Sequence, residues 1–160
     1  MTIETGQRLP EATFTEKDAD GIHEVGLTAK LAGRKVAIFA VPGAFTPTCD
    51  SAHLPSFIRN LDALKAKGVD EVICVSVNDP HVMRAWAEAS GADGITMLAD
   101  AECAFTEAIG MRFDAPPVGL IARSVRYSML VEDGVVTQLN LEAERGVCNL
   151  TAAEALLDQL

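Results

Sequence analysis

The chain has 160 residues, 49% of them apolar and 22% charged, and a formal charge of −10. That length suits one domain with a substantial core. The acidic balance argues against a nucleic-acid partner, whose phosphates attract basic surfaces, and no apolar run approaches the roughly 18 residues of a membrane span.

The N-terminus, MTIETGQRLPEATF, has no basic segment followed by an apolar one, so no export signal is expected. Four cysteines (Cys49, Cys74, Cys103 and Cys148) form no CxxC pair. Without export they are expected as thiols in the reducing cytoplasm, either inert in the core or reactive, and not as a disulfide framework.

In chain order, Lys35 to Val41 is apolar on both faces and predicts a buried strand. Asp50 to Lys67 predicts a helix, with Leu54, Phe57, Ile58, Leu61 and Leu64 at helical spacing and Gly68 as its end. Val69 to Val77 predicts a second buried strand. Asp79-Pro80 supplies a cap and a first-turn proline for a helix to about Ser90, stopped by Gly91. Ile95 to Leu98 predicts a third strand, and Glu102 to Ile109 a short helix closed by Gly110. Tyr127 to Val131 and Val135 to Leu139 flank Glu132-Asp133-Gly134, a hairpin signal. Thr151 and Glu154 have capping-box spacing for a last helix, Ala152 to Leu160. Strands alternating with helices imply parallel pairing by right-handed crossovers, and the closing hairpin adds antiparallel strands. The expected class is α/β: a mixed central sheet with helices on both faces, of which the thioredoxin-like fold is one arrangement.

The segment VPGAFTPTCDSAHLPSF follows the first strand. Thr46 stands where an N-cap is needed and Pro47 at the first helical position, so Cys49 falls third. There a sulfur lies near unpaired backbone N–H groups and the positive end of the helix dipole, which favour thiolate, the nucleophilic form. A small buried thiol that only packs is the other reading of the same residue. His53, four residues on, shares a helix face with Cys49. It fits a Cys–His pair, part of a metal site, or a locally satisfied histidine that shapes the site; no other Cys/His pair has ligand spacing. Pro55 removes a backbone bond within the predicted helix and predicts a kink.

PGAFTPTC with HLPSF after it resembles the active-site loop of peroxiredoxins, in particular their type II or type 5 branch. VDEVICVSVNDPHVMRAW (Val69–Trp86) and RSVRYSMLVEDGVV (Arg123–Val136) extend the resemblance over most of the chain. It implies one thioredoxin-like domain over residues 1–160 that forms a homodimer. By residue, Cys49 matches the peroxidatic cysteine and Thr46 the threonine that contacts sulfur and peroxide. Pro42 matches the proline that shields the cysteine from water, and Arg126 the arginine that completes the site. The residues agree on Arg126: a guanidinium at the edge of an apolar strand needs an acceptor or anionic partner. Arg123, three positions earlier, is expected on the opposite side of a regular strand, in a surface or structural role.

The implied activity is reduction of hydrogen peroxide and organic hydroperoxides through a sulfenic acid at Cys49, with no metal or organic cofactor. Phe45, Leu120 and Phe113 are apolar residues expected near the site that favour an alkyl substituent. A second thiol must then resolve the sulfenic acid. Cys148, in the loop EAERGVCNL, resembles the resolving cysteine of animal type 5 members, with two extra residues in the tail. Cys74 matches a cysteine of plant and some bacterial type II members, and Cys103 matches none with a role. Glutathione with glutaredoxin, or thioredoxin, serves as reductant otherwise. A thiol–disulfide reductase on this fold needs CxxC where this chain has CDSA. A peroxide-responsive sensor or binding protein with slow turnover is the alternative from another class.

Overall fold

A computed structural model describes all 160 residues. β1 (Thr13–Asp18) and β2 (Gly21–Gly26) open the chain as an antiparallel pair, followed by α1 (Leu27–Leu31) and β3 (Lys35–Ala40). A π-helical turn (Cys49–His53), α2 (Leu54–Arg59) and α3 (Leu61–Ala66) lead to β4 (Glu71–Ser76), α4 (Pro80–Ser90) and β5 (Thr96–Ala99). Next come α5 (Ala104–Ala108), β6 (Arg112–Ala115), β7 (Leu120–Ser124), β8 (Tyr127–Glu132), β9 (Val135–Leu141) and α6 (Ala153–Asp158). Seven strands form one sheet in the order β2-β1-β5-β4-β3-β8-β9, and β6-β7 form a separate pair. β3, β4 and β5 are parallel and the remaining pairings are antiparallel, so the sheet is mixed as expected.

The central strands read as unbroken apolar runs because both faces are covered. Ala37, Phe39, Val72 and Cys74 join one core cluster with Leu54, Phe57, Trp86 and Leu156 from the helices on that side. Their neighbours Val36, Ile38, Ile73 and Val75 join a second cluster with Leu27, Leu31, Phe105 and Ile109 on the other. A period of two along each strand thus sends alternate side chains into two separate cores.

Several local expectations hold closely. Asp79 caps α4, accepting from Val82 N–H at 2.9 Å, and Gly91 ends it in the left-handed conformation at φ 69°. Asp133 and Gly134 both have positive φ, 48° and 80°, as a two-residue turn between β8 and β9 requires.

Others do not. The helix predicted from Asp50 to Lys67 is three pieces. Pro55 has no N–H for a regular bond, and the turn before it widens: Leu54 N–H bonds Cys49 O, five residues back. A second break falls at Asn60, whose φ of −106° and ψ of 9° separate α2 from α3. The predicted capping box at Thr151 is absent. Ala152 is the N-cap of α6 and offers no side-chain bond; the Thr151 hydroxyl bonds Glu142 instead, and Glu154 pairs with Arg59. The pairs β1-β2 and β6-β7 went unforeseen. β1 buries only Phe14 fully and β2 buries nothing fully, so neither carries the apolar alternation that marks a strand.

Asp79→Ala is expected to cost about 1 kcal/mol by removing the α4 cap, and to lower Tm by about 3 °C in a thermal melt followed by circular dichroism.

Candidate functional site

The loop between β3 and the π-helical turn is fixed from both sides. β4 and the residues after it hold one side: Val41 N–H bonds Val75 O, and the Asn78 side chain accepts from Ala44 N–H at 3.0 Å. On the other side Arg123 Nη1 approaches Pro42 O at 3.4 Å. Gly43 allows that approach: a Cβ there would lie 2.9 Å from Arg123 Nη1 and 3.1 Å from Thr46 Cγ2. Arg123 therefore does not point away from the site as expected. Strand alternation does not carry from residue 123 to residue 126: β7 ends at Ser124 and β8 begins at Tyr127, and the irregular pair between them resets the facing.

Pro47 is the first helical residue and Cys49 the third, with Asp50 N–H closing the first turn onto Thr46 O at 2.9 Å. The Thr46 hydroxyl caps no backbone N–H in this first turn. It lies 2.6 Å from Gly43 O and 2.8 Å from Cys49 Sγ. Its single proton goes to the carbonyl when the sulfur holds a proton, and to the sulfur when it does not. Asp50 accepts from Trp86 Nε1 at 2.8 Å, which anchors the same turn to α4.

Arg126 arrives from the far side of the sequence. It is 7% exposed, and its Nη2 lies 3.2 Å from the sulfur of Cys49, which is fully buried. Its Nη1 lies 3.0 Å from His53 Nδ1. Arg126 joins none of the ion pairs with carboxylates. A buried guanidinium without a carboxylate favours negative charge on whatever else it touches, here the sulfur.

His53 is fully buried, and its Nε2 lies 3.0 Å from Thr151 O. A carbonyl only accepts, so Nε2 carries the hydrogen and Nδ1 offers its lone pair to Arg126. Burial and then the Arg126 charge push the imidazole down to about 3, so it is neutral at physiological pH. The ring makes no hydrogen bond to Cys49; it holds the arginine that does.

Pro42, Thr46 and Arg126 line a cleft of about 850 Å³ together with Met111, Phe113 and Leu120. Phe113 and Leu120 thus lie in the wall of the same cleft as Thr46 and Arg126, as expected. Phe45 is not among the lining residues; it is half exposed and tilts toward Trp86, with ring centroids 6.4 Å apart.

The four cysteines are free thiols. Cys148 is partly exposed, in a segment that reaches the site at two points: Thr48 Oγ1 donates to Gly146 O at 2.9 Å, and Thr151 O meets His53. Burial raises its thiol, while Thr151 and the Arg126 charge pull it back. Cys74 is fully buried in β4 between Phe39 and Met97, and burial pushes its thiol far up. No group of three or more metal-ligating side chains gathers anywhere in the chain.

The Asn78 tie, the Arg123 contact and the bonds of Glu142 and Thr151 are not visible in the sequence. The one visible signal was His53 at four residues from Cys49; its bond to a residue 73 positions away had none.

The Redoxin family profile matches residues 4–157. Peroxiredoxin-2E-2 of Oryza sativa subsp. japonica, a chloroplastic protein, is 49% identical over 99% of this chain and 73% of its own length. The reduced Prx3 of Vibrio vulnificus in complex with hydrogen peroxide superposes with a TM-score of 0.94, at 46% identity over 99% of both chains. Peroxiredoxin 5 of Alvinella pompejana gives 0.84, at 30% identity over 97% of this chain and 96% of its own.

His53 makes stability depend on pH. An unfolded chain protonates it below the ordinary 6.5, whereas the folded chain resists until about 3. Protons therefore favour unfolding, and stability falls as pH drops through that window, by up to about 1.4 kcal/mol per unit. Urea midpoints between pH 6.5 and 5 should fall more steeply for the wild type than for His53→Gln; parallel slopes would refute the burial argument.

Proposed function

The chain belongs to the peroxiredoxin family, in its type II/type 5 branch, and on that premise we propose that it reduces hydroperoxides through Cys49, with Thr46, Pro42 and Arg126 completing the site. One observation carries the reading: a buried guanidinium without a carboxylate partner, 3.2 Å from a buried sulfur that also meets the Thr46 hydroxyl.

The thiolate attacks the nearer oxygen of ROOH. The S–O bond forms as the O–O bond breaks, and the sulfur becomes a sulfenic acid. The departing RO⁻ takes a proton from solvent and leaves as water or an alcohol. Arg126 lies where negative charge passes from sulfur to oxygen, so its donors strengthen as that charge develops, which lowers the barrier. Thr46 presents its hydroxyl beside the sulfur and orients the peroxide. Pro42 walls the pocket against water. The cleft beyond, with Phe113 and Leu120 in its lining, has room for an alkyl substituent, so both hydrogen peroxide and organic hydroperoxides belong to the proposal.

A thiol then attacks the sulfenic sulfur, forming a disulfide and releasing water. Cys148 is the internal candidate: it is partly exposed, on a segment that touches Thr48 and His53. Cys74 is placed outside the cycle, because reaching it means breaking into a fully buried strand paired on both sides. Glutathione with glutaredoxin, or thioredoxin, supplies the reducing electrons. The reading includes a cytoplasmic location, which suits four free thiols. It includes a homodimer as well, supported by the apolar Val118 and Leu141 left exposed along the cleft; sedimentation of the purified protein tests it.

Cys49→Ser is expected to abolish NADPH-coupled peroxide turnover with either reductant, and Arg126→Gln to lower kcat/KM by about a hundredfold or more. Retained turnover in Cys49→Ser would move the chemistry elsewhere, and oxidation of Cys49 without steady turnover in the wild type would favour a sensor. Peptide mapping after one equivalent of peroxide should show a Cys49–Cys148 disulfide; a mixed disulfide of Cys49 with added glutathione and no internal bridge would remove Cys148 from the cycle.

A further inference from the structure

Glu142 follows directly on β9, and four hydrogen bonds converge on its carboxylate. Backbone N–H groups of Asn149, Leu150 and Thr151 donate at 3.0, 3.2 and 2.8 Å, and the Thr151 hydroxyl donates as well. Burial works against its charge, but the Thr151 bonds and then those from Leu150 and Asn149 prevail and hold it below the usual carboxylate range.

The residue it grips most fully is the one whose carbonyl faces His53. That carbonyl fixes the hydrogen on Nε2, which leaves Nδ1 free to accept from Arg126 Nη1 at 3.0 Å. Arg126 Nη2 then falls 3.2 Å from Cys49 Sγ. The imidazole is packed against Phe39 and Phe57, with ring centroids at 4.9 and 5.7 Å, so it cannot swing to follow a displaced acceptor. From Glu142 to the sulfur the path runs through Thr151, His53 and Arg126, each joined to the next by a hydrogen bond.

We propose that Glu142 is a positioning residue for Cys49: through its N–H and hydroxyl it holds Thr151, whose carbonyl sets the His53 tautomer, and that tautomer holds Arg126 against the sulfur. The proposal rests on Cys49 as the reacting group, but not on peroxide as its substrate. It makes an unusual demand on sign. Removing a nearby negative charge alone stabilises a thiolate and speeds its reactions. Removing the anchor for Arg126 does the opposite.

Alkylation of Cys49 by iodoacetamide at pH 6, followed by peptide mass spectrometry, separates the two without any peroxide present. Glu142→Ala is expected to slow the reaction by about threefold or more, because the guanidinium is no longer held against the sulfur. Glu144→Ala removes the same charge from the same loop and is expected to leave the rate unchanged or slightly higher. A Glu142→Ala rate equal to or above wild type overturns the proposal.

Glu142→Gln keeps one acceptor oxygen. It is expected to fall between wild type and Glu142→Ala, and it serves if the alanine variant loses its far-ultraviolet dichroism; a wild-type rate in Glu142→Gln together with unfolding of Glu142→Ala also overturns the proposal. ¹⁵N spectra give the signature that a merely structural loop anchor would not move. His53 should be a single Nε2–H tautomer in wild type and a mixture in the slowed variant, and a slower rate with the tautomer unchanged refutes the relay. Failure of peroxide turnover in the wild type leaves these measurements intact.

Discussion

Arg126 is a cation buried where no carboxylate answers it. Its two guanidinium contacts are a sulfur and a neutral imidazole, and most of what surrounds it works to keep it there. Burial of a charge is tolerated only when its donors are used and its field is balanced. In this molecule the group beside it is a sulfur, so on the proposed reading the stability of the arginine and the reactivity of the cysteine would be two faces of one electrostatic arrangement.

The fold supplies that arrangement from three remote parts of the chain. The end of β3 and the turn after it bring Thr46 and Cys49 just past the end of a central strand, and Trp86 and Asn78 brace them from α4 and from the residues after β4. The two residues between β7 and β8 deliver Arg126. The stretch before α6 delivers the Thr151 carbonyl that orients His53. The doubly covered sheet matters here because its strands cannot shift without disturbing two cores at once. It is a rigid base for a site made mostly of loop ends.

Much of this was legible in the sequence, and the reasons are local. Lys35–Val41 and Val69–Val77 announce buried strands because each contains an unbroken apolar run, Val36–Val41 and Val72–Val75. Asp79-Pro80 and Gly91 announce both ends of α4 because capping uses neighbours only. The approach to Cys49 is readable through Pro47 at the first helical position, but the Thr46 hydroxyl turns to Gly43 O and the sulfur and does not cap the helix end. Non-local facts stayed hidden. The Asp50–Lys67 periodicity is helical throughout, and nothing in it reveals the break at Asn60 or the widened turn before Pro55. Arg123 was assigned by strand alternation, which fails when the strand is interrupted between it and Arg126. Thr151 and Glu154 had the spacing of a capping box, but Glu142 and Arg59 outcompete the helix end for those side chains. In each case the local pattern was sound and a distant partner overrode it.

The tail that carries Cys148 is stitched down at both ends: Thr48 holds Gly146, and Glu142 holds the three residues that follow the cysteine. That thiol cannot travel far without unpicking the stitches, and the last of them lies one bond from the histidine. A tail pulled loose would take with it the acceptor that keeps the guanidinium aimed. On the proposed relay, the guanidinium would lose its aim for as long as the tail is away and regain it on the tail's return.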